Sequence, residues 1–369
     1  MPRLLVLTAL AFAGYAALLP VAPLLAVRGG ADAFGAGLVN GVLLACTVVT
    51  QLAVPALLRR FGWTAVLVAG MLLLGLPTAG FFLSDALAPI LLVSALRGLG
   101  FGILTVTGSA LVAELVEPAR RGQAVGLYGL AIALPQVLFV PAGPWVVEEF
   151  GFAPMIVVGL LPVLAAWPAY RLSRMAERVP EPRRRAPYAR MLPPMALLLA
   201  ATLAGGALIT FAAQMHDGGA GLTVAALLCL TLAAAFTRWW AGIAADRRGP
   251  RPFVAPLVLI TAIGMALVGW SVREPAAVVA PLLLAGATLV GIGYGALQNL
   301  TLLLTFATVD RQHYGAASTM WNVGFDVGTA LGSVVIGAIA AGASFSTAML
   351  VGGAVSLLTV PLALRRGRD

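Results

Sequence analysis

The chain has 369 residues, of which 61% are hydrophobic and only 10% charged, with a mean hydropathy of +1.00. Soluble globular domains carry about 25% charged residues, so this composition excludes a water-soluble enzyme or binding module and indicates a chain that lives in a bilayer. All 23 basic residues are arginine and the net charge is +9, a balance that could suit nucleic acid, but the placement of the arginines described below argues against such a partner.

Apolar segments of spanning length fall near Leu4 to Val27, Phe34 to Leu58, Trp63 to Leu83, Pro89 to Leu115, Gly122 to Val147 and Phe152 to Tyr170. The beginning, Arg3 followed by an apolar run and Ala11-Phe12-Ala13, could pass for a secretory signal. The run continues to about Val27, however, long enough to span, so it is read as the first membrane helix. A further six segments fall near Met195 to Gln214, Gly221 to Ala245, Phe253 to Val272, Pro281 to Thr308, Gly315 to Ala340 and Phe345 to Leu364. Trp63, Trp145, Trp167, Trp239, Trp240 and Trp270 sit near predicted segment ends, where an indole prefers the headgroup layer. Between the sixes, Arg171 to Arg190 holds seven arginines, two glutamates and three prolines with no apolar run, which reads as a polar linker. The expected organisation is an all-α membrane protein with a six-helix bundle over 1–170, a cytoplasmic linker over 171–191 and a second six-helix bundle over 192–369.

Nineteen of the arginines fall on one side of this layout, including Arg3, Arg59, Arg60, Arg247, Arg248, Arg251, Arg311 and the linker set, whereas Arg28 and Arg273 fall on the other. Basic residues concentrate in cytoplasmic loops, so both termini and the linker are expected in the cytoplasm and the chain in the inner (plasma) membrane. Cys46 and Cys229 lie within apolar segments and His216 and His313 in separate loops, too few ligands for a disulfide framework or a metal site. Neither metal nor cofactor is expected.

The two halves repeat each other. An offset of 187 places Thr50 on Thr237, Arg60 on Arg247 and Gly62 on Gly249; an offset of 193 places Gly98-Leu-Gly-Phe-Gly102 on Gly291-Ile-Gly-Tyr-Gly295, and Val116, Glu117, Gly122 and Ala124 on Val309, Asp310, Gly315 and Ala317. Six helices per copy puts the copies in parallel orientation.

Gly242-Ile-Ala-Ala-Asp-Arg-Arg-Gly-Pro-Arg251 is a charged turn wedged between two apolar runs. Gly242 suits close helix approach, Asp246 can accept from a neighbouring helix N-terminus, and Arg247 and Arg251, either side of Gly249, can reach carboxylates from the cytosol. This pattern, G-x-x-x-D-R-x-G-x-R, resembles the loop signature of the major facilitator superfamily, and Val116 to Gly126 is similar to a second loop of that family. The chain departs from the family where Pro55 and Arg59 replace Gly and Asp in the first-half copy, and where Ser94 holds the place of an arginine that appears one turn later as Arg97. Pro141-Ala-Gly-Pro144 is only loosely similar to the family's antiporter motif.

In the fourth segment Arg97, Phe101 and Thr105 form an i, i+4, i+8 stripe beside Gly98 and Gly102, and the copy in the tenth is Val290, Tyr294 and Gln298, with Asn299 nearby. The resemblance implies that the first, fourth, seventh and tenth segments line a central cavity, which adds Tyr15, Thr202, Thr210 and Gln214. The alternative for each is a hydroxyl or amide satisfied between packed helices. Three charges lie within apolar segments, each costing roughly 2.5–3.5 kcal/mol at a helix centre on insertion scales. Arg97 lies about 12 Å into its segment and can contact an anion or dipole; Arg238, about 25 Å along its own, is expected to snorkel and serve a gate or structural role. Asp326 lies about 16 Å in, near the midplane, with Asn322 and Ser333 on its face, and is expected either to carry protons or to be held in a permanent hydrogen bond.

These readings converge on a secondary transporter working by alternating access, coupled to protons and exporting a small amphipathic organic molecule; an uptake symporter for a nutrient solute and a non-transporting sensor are the alternatives. No nucleophile, base and orienting group assemble in one stretch, so an enzyme is not expected. A monomer is expected.

Overall fold

The computed structural model describes residues 1–115, 121–174, 186–310 and 313–364, with backbone alone for 109, 113–115 and 121–125. Lipid offers backbone amides no hydrogen-bond partner, so apolar runs close their bonds within each segment, and the described residues contain helices and no strand.

The helices are α1 (Pro2–Arg28), α2 (Ala33–Gly75), α3 (Leu87–Leu115), α4 (Arg121–Phe150), α5 (Ala153–Gly159), α6 (Leu161–Ser173), α7 (Tyr188–Phe211), α8 (Gly219–Arg248), α9 (Arg251–Ser271), α10 (Ala280–Ala307), α11 (Tyr314–Gly342), α12 (Phe345–Leu357) and α13 (Val360–Leu364). Among the described residues eleven stretches are long and apolar enough to cross a membrane. One of them, Ala33–Phe82, is broken at Gly62, where φ 76° and ψ 170° lie outside any helix, so it makes two passes and the expected twelve are present. Gly249 ends α8 with nearly the same angles, φ 73° and ψ 164°. A side chain with a Cβ would be strained at both, which is why the repeat keeps glycine at the turn.

Three predicted segments are less regular than expected. The sixth is jogged at Leu160 into α5 and α6, where Pro162 enters the chain at the start of α6 without an N–H to give. The third passes into a 3-10 turn over Leu76–Phe82 that begins at Pro77, and the twelfth divides at Leu358, ahead of Pro361. The charged stretch at Gly242 differs too. It is helical through Arg248, because Arg247 and Arg248 favour the carbonyl end of α8, and the turn is confined to Gly249 and Pro250.

Two compact units form. One comprises Met1–Ala31 with Val42–Arg183, the other Asp32–Gly41 with Arg184–Asp369. In the first, α1 packs on α4, α6 and α3. In the second, α10 packs on α8 and α9 and touches α7, while α11 lies along α7. The start of α2 belongs to the second unit, where Asn40 donates to Thr210 at 3.0 Å and Gly37 rests on the Ser333 carbonyl.

The glycine ridges do the same work in both units. Gly98 and Gly102 meet the carbonyls of Leu43 and Thr47, and Gly291 and Gly295 meet those of Leu230 and Ala234, at the same 187 and 193 offsets. Gly100 meets the Gly70 carbonyl as Gly293 meets that of Leu257. Backbone closely approaches backbone at these points, the van der Waals packing that is the usual basis of helix association in lipid.

Candidate functional site

In the first unit the contact at Gly14 aims one guanidinium. Arg97 on α3 is 1% exposed; its Nη2 donates to the Gly14 carbonyl of α1 at 3.1 Å and its Cζ lies 5.9 Å from the Phe81 ring. Tyr15, the next residue on α1, stacks on Phe101 with centroids 3.7 Å apart and planes 7° from parallel, and Phe12 meets Phe101 edge-on at 5.6 Å. Arg97, Tyr15 and Phe101 therefore come together. Thr105, one turn further along α3, donates to its own Gly102 carbonyl and accepts from Gln51 Nε2 at 3.1 Å.

The second unit builds its polar cluster on α10. Gln298 accepts from Arg238 Nη1 of α8 at 3.1 Å, and Asn299 Nδ2 donates to the Arg238 carbonyl at 2.9 Å. Arg238 thus turns toward α10 instead of snorkelling, because the Gln298 amide oxygen supplies an acceptor within the bundle. Tyr294, one turn before Gln298, is buried with its ring 6.0 Å from Phe325 of α11 and packed on the bare backbone of Gly205. It lies within electrostatic range of both Arg238 and Asp326. Asp326 is 2% exposed, the one carboxylate so deeply buried among the described residues.

Other expected site residues are engaged in packing. The Thr210 hydroxyl sits between Asn40 and Ser333, 2.9 Å from the latter, and Gln214 donates back to the Thr210 carbonyl. Asn322 and Ser333, expected beside Asp326, bond the α11 carbonyls of Ser318 and Thr329. Asp246, Arg247 and Arg251 are exposed, and among the described residues no hydrogen bond or ion pair of Asp246 is formed. A Cβ at Gly242 would lie 3.1 Å from the Asn299 amide, so the motif's first glycine borders the Arg238–Asn299 contact. Val116 to Arg120 of the second family motif lie outside the described residues.

Gln51 and Phe12 were missed by the sequence reading. Gln51 had a signal, since it follows Thr50 as Arg238 follows Thr237 in the repeat.

Two six-pass bundles built on one repeat, each with charged and aromatic groups buried mid-helix, define a multi-pass α-helical membrane protein with a duplicated bundle. The Major Facilitator Superfamily model matches residues 4–271 and again 194–369, and the chain belongs to that family. It is 28% identical over 149 residues to a probable 4-methylmuconolactone transporter of Cupriavidus pinatubonensis, a match covering 38% of this chain and 34% of that protein. It is 25% identical over 343 residues to the synaptic vesicular amine transporter of Bos taurus, covering 87% of this chain and 65% of the relative. The chain thus spans from about a third to just under two thirds of the length of these relatives. Among solved structures, a bacterial homolog of the human lysosomal transporter Spinster superposes with a TM-score of 0.74 at 13% identity, covering 98% of this chain and 94% of that one. The nucleoside transporter NupG gives 0.71 at 11%, covering 98% and 97%. These last two establish the fold.

Proposed function

We propose that the protein is a proton-coupled exporter of a small amphipathic organic molecule, embedded in the inner membrane with both termini cytoplasmic. The observation that carries the coupling is Asp326, a carboxyl 2% exposed within α11, in a unit that also holds Tyr294 and Arg238. A carboxyl whose surroundings change between packed interior and water during alternating access can take up and release a proton. Taken separately, the first unit offers a cation and aromatic faces in Arg97 and the Tyr15–Phe101 stack, and the second an aromatic ring and amides in Tyr294, Gln298 and Asn299. Such mixed surfaces suit a ligand with an apolar body and one polar head. Relatives named for 4-methylmuconolactone and for amines fit that description of a solute. Gly242, Asp246, Arg247, Gly249 and Arg251 act as the gate, with the acid as the hydrogen-bonding member.

The test is flux in proteoliposomes under an imposed pH gradient, with an aromatic amine and an aromatic carboxylate as trial solutes. Solute leaving the compartment equivalent to the cytoplasm as protons enter it supports export. Accumulation in the same direction as protons makes the protein an uptake symporter, and no gradient-dependent movement of either solute removes the coupling.

A further inference from the structure

A buried cation normally carries its counter-charge with it, because an unpaired ion in a low-dielectric interior costs several kcal/mol. Among the described residues Arg97 has none. Its Nη2 donates to a neutral carbonyl, that of Gly14, no carboxylate pairs with it, and its buried Nε has no hydrogen-bond partner within that set. Three residues earlier on α3, the fully buried Ser94 hydroxyl has no partner either. That is unusual here. Most buried hydroxyls in this chain bond the carbonyl four residues back, as Thr47, Thr107, Thr301 and Thr305 do, yet Ser94 leaves its own unused. Helical side chains lean toward the N-terminus of their helix, so the Arg97 arm reaches back over the turn that holds Ser94. The Phe81 ring lies on the guanidinium, its centroid 5.9 Å from Cζ.

We infer that Arg97 Nε and Ser94 Oγ together hold one small anionic group against α3, either a carboxylate or a free halide. Two N–H or O–H donors, one of them cationic, complement an acceptor of one negative charge; a water molecule would satisfy both donors but leave the guanidinium charge uncompensated. Where the group is a carboxylate, it belongs to the transported solute, and in that arm the inference rests on the transport reading above.

Binding is measured on the purified full chain in detergent, where no flux is required, so a failure of transport and a failure of this site are distinguishable. Melting temperature is followed while sodium methanesulfonate, neither a carboxylate nor a halide, is replaced at constant ionic strength by sodium chloride or by sodium benzoate. Ligand binding to the folded state raises the melting temperature along a saturating curve. We expect saturation with at least one salt, abolished in Arg97→Gln, and in Ser94→Ala an affinity weaker by about threefold to tenfold, the effect of losing one hydrogen bond. Should Arg97→Gln not fold, Ser94→Ala decides. Saturation by chloride alone assigns a free ion, and by benzoate alone a solute carboxylate; both with mutual competition assign one site open to either. Flat curves with both salts, or unchanged curves in Ser94→Ala, overturn the inference and leave the two donors to water.

Discussion

Gln51 donates to Thr105 across α2 and α3 at 3.1 Å, and Arg238 donates to Gln298 across α8 and α10 at the same 3.1 Å, at the positions related by the 187 and 193 offsets of the repeat. One inter-helix bridge has been kept in place while its chemistry changed from amide–hydroxyl to guanidinium–amide. The consequences of breaking them should differ. Inter-helix hydrogen bonds in membranes average about 0.6 kcal/mol, and Thr105→Val should cost about that. Gln298→Leu strips an acceptor from a cation and should cost about 1.5–3 kcal/mol. Thermal unfolding in detergent compares the two, and equal shifts would mean that Arg238 finds another acceptor at no cost.

The glycine ridges give a sharper contrast. A methyl group at Gly295 would strike the Ala234 backbone and one at Gly98 the Leu43 carbonyl, neither of which can swing aside, whereas nothing lies within 4 Å of a Cβ at Gly315 or Gly126. Gly295→Ala and Gly98→Ala should each lower the melting temperature by the equivalent of about 1–3 kcal/mol, the usual cost of overpacking. Gly315→Ala and Gly126→Ala should leave it unchanged or raise it, since alanine is the better helix former by about 1 kcal/mol. A stable Gly295→Ala protein would show that α8 and α10 can separate freely.

Much of this architecture was legible in the sequence because the bilayer leaves few choices. Apolar runs must be helices, and the turns at Gly62 and Gly249 demand positive φ. Glycine ridges mark backbone approach, so Gly98, Gly102, Gly291 and Gly295 could be paired by repeat alone. What periodicity could not supply was rotation about each helix axis, since an all-round apolar helix has no polar face to orient it. Hence Thr210, expected toward a cavity, is held between Asn40 and Ser333. Nor could spacing reveal that Arg97 takes a backbone carbonyl, because that acceptor is present at every residue.

His216 lies in the loop between α7 and α8, outside the spans, and burial lowers its pKa from 6.5 while the Asp217 carboxylate opposes that shift. Geometry agrees with the direction, since Nδ1 accepts from the Gly218 N–H at 3.0 Å and protonation would replace that acceptor with a donor. With the folded-state value depressed, the unfolded chain binds more protons as pH falls through 6.5. Stability should therefore be fully present above pH 6.5 and decline below it. His216→Gln should flatten the fall in melting temperature on acidification from neutral pH; a variant with the full wild-type slope would place the dependence elsewhere.

Asp246 occupies the position that Arg59 holds in the first half, so the two turns carry opposite charge at one repeat site. If the acid latches one access state, Asp246→Asn should shift the balance of states by about fivefold, as about 1 kcal/mol of coupling would. Thiol labelling at engineered cysteines on the two membrane faces, with Cys46 and Cys229 replaced, reads that balance. Changes at Arg59 should have the smaller effect. Unchanged labelling together with unchanged transport in Asp246→Asn would reduce the motif to a topological marker.

Asp326 offers the most direct test of coupling. Of the 14 acidic residues, it alone is predicted near the membrane midplane, and it alone is buried among the described carboxylates. Tyr294 stands within electrostatic range of it and of Arg238, so the second unit holds an acid, a phenol and a cation on α11, α10 and α8. A carboxyl in such a place can exchange a proton only if its surroundings alternate between water, which tolerates the charge, and the packed interior, which does not. Asp326→Asn keeps the volume and much of the hydrogen bonding but cannot titrate. It should abolish solute movement driven by a pH gradient, while solute binding and gradient-free exchange persist within about threefold, the span of a single ordinary hydrogen bond. Asp326→Glu, which restores titration with one more methylene, should recover part of the driven flux. Full pH-driven transport in Asp326→Asn would make the residue structural, and loss of exchange as well as driven flux would show that it shapes the bundle before it carries any proton.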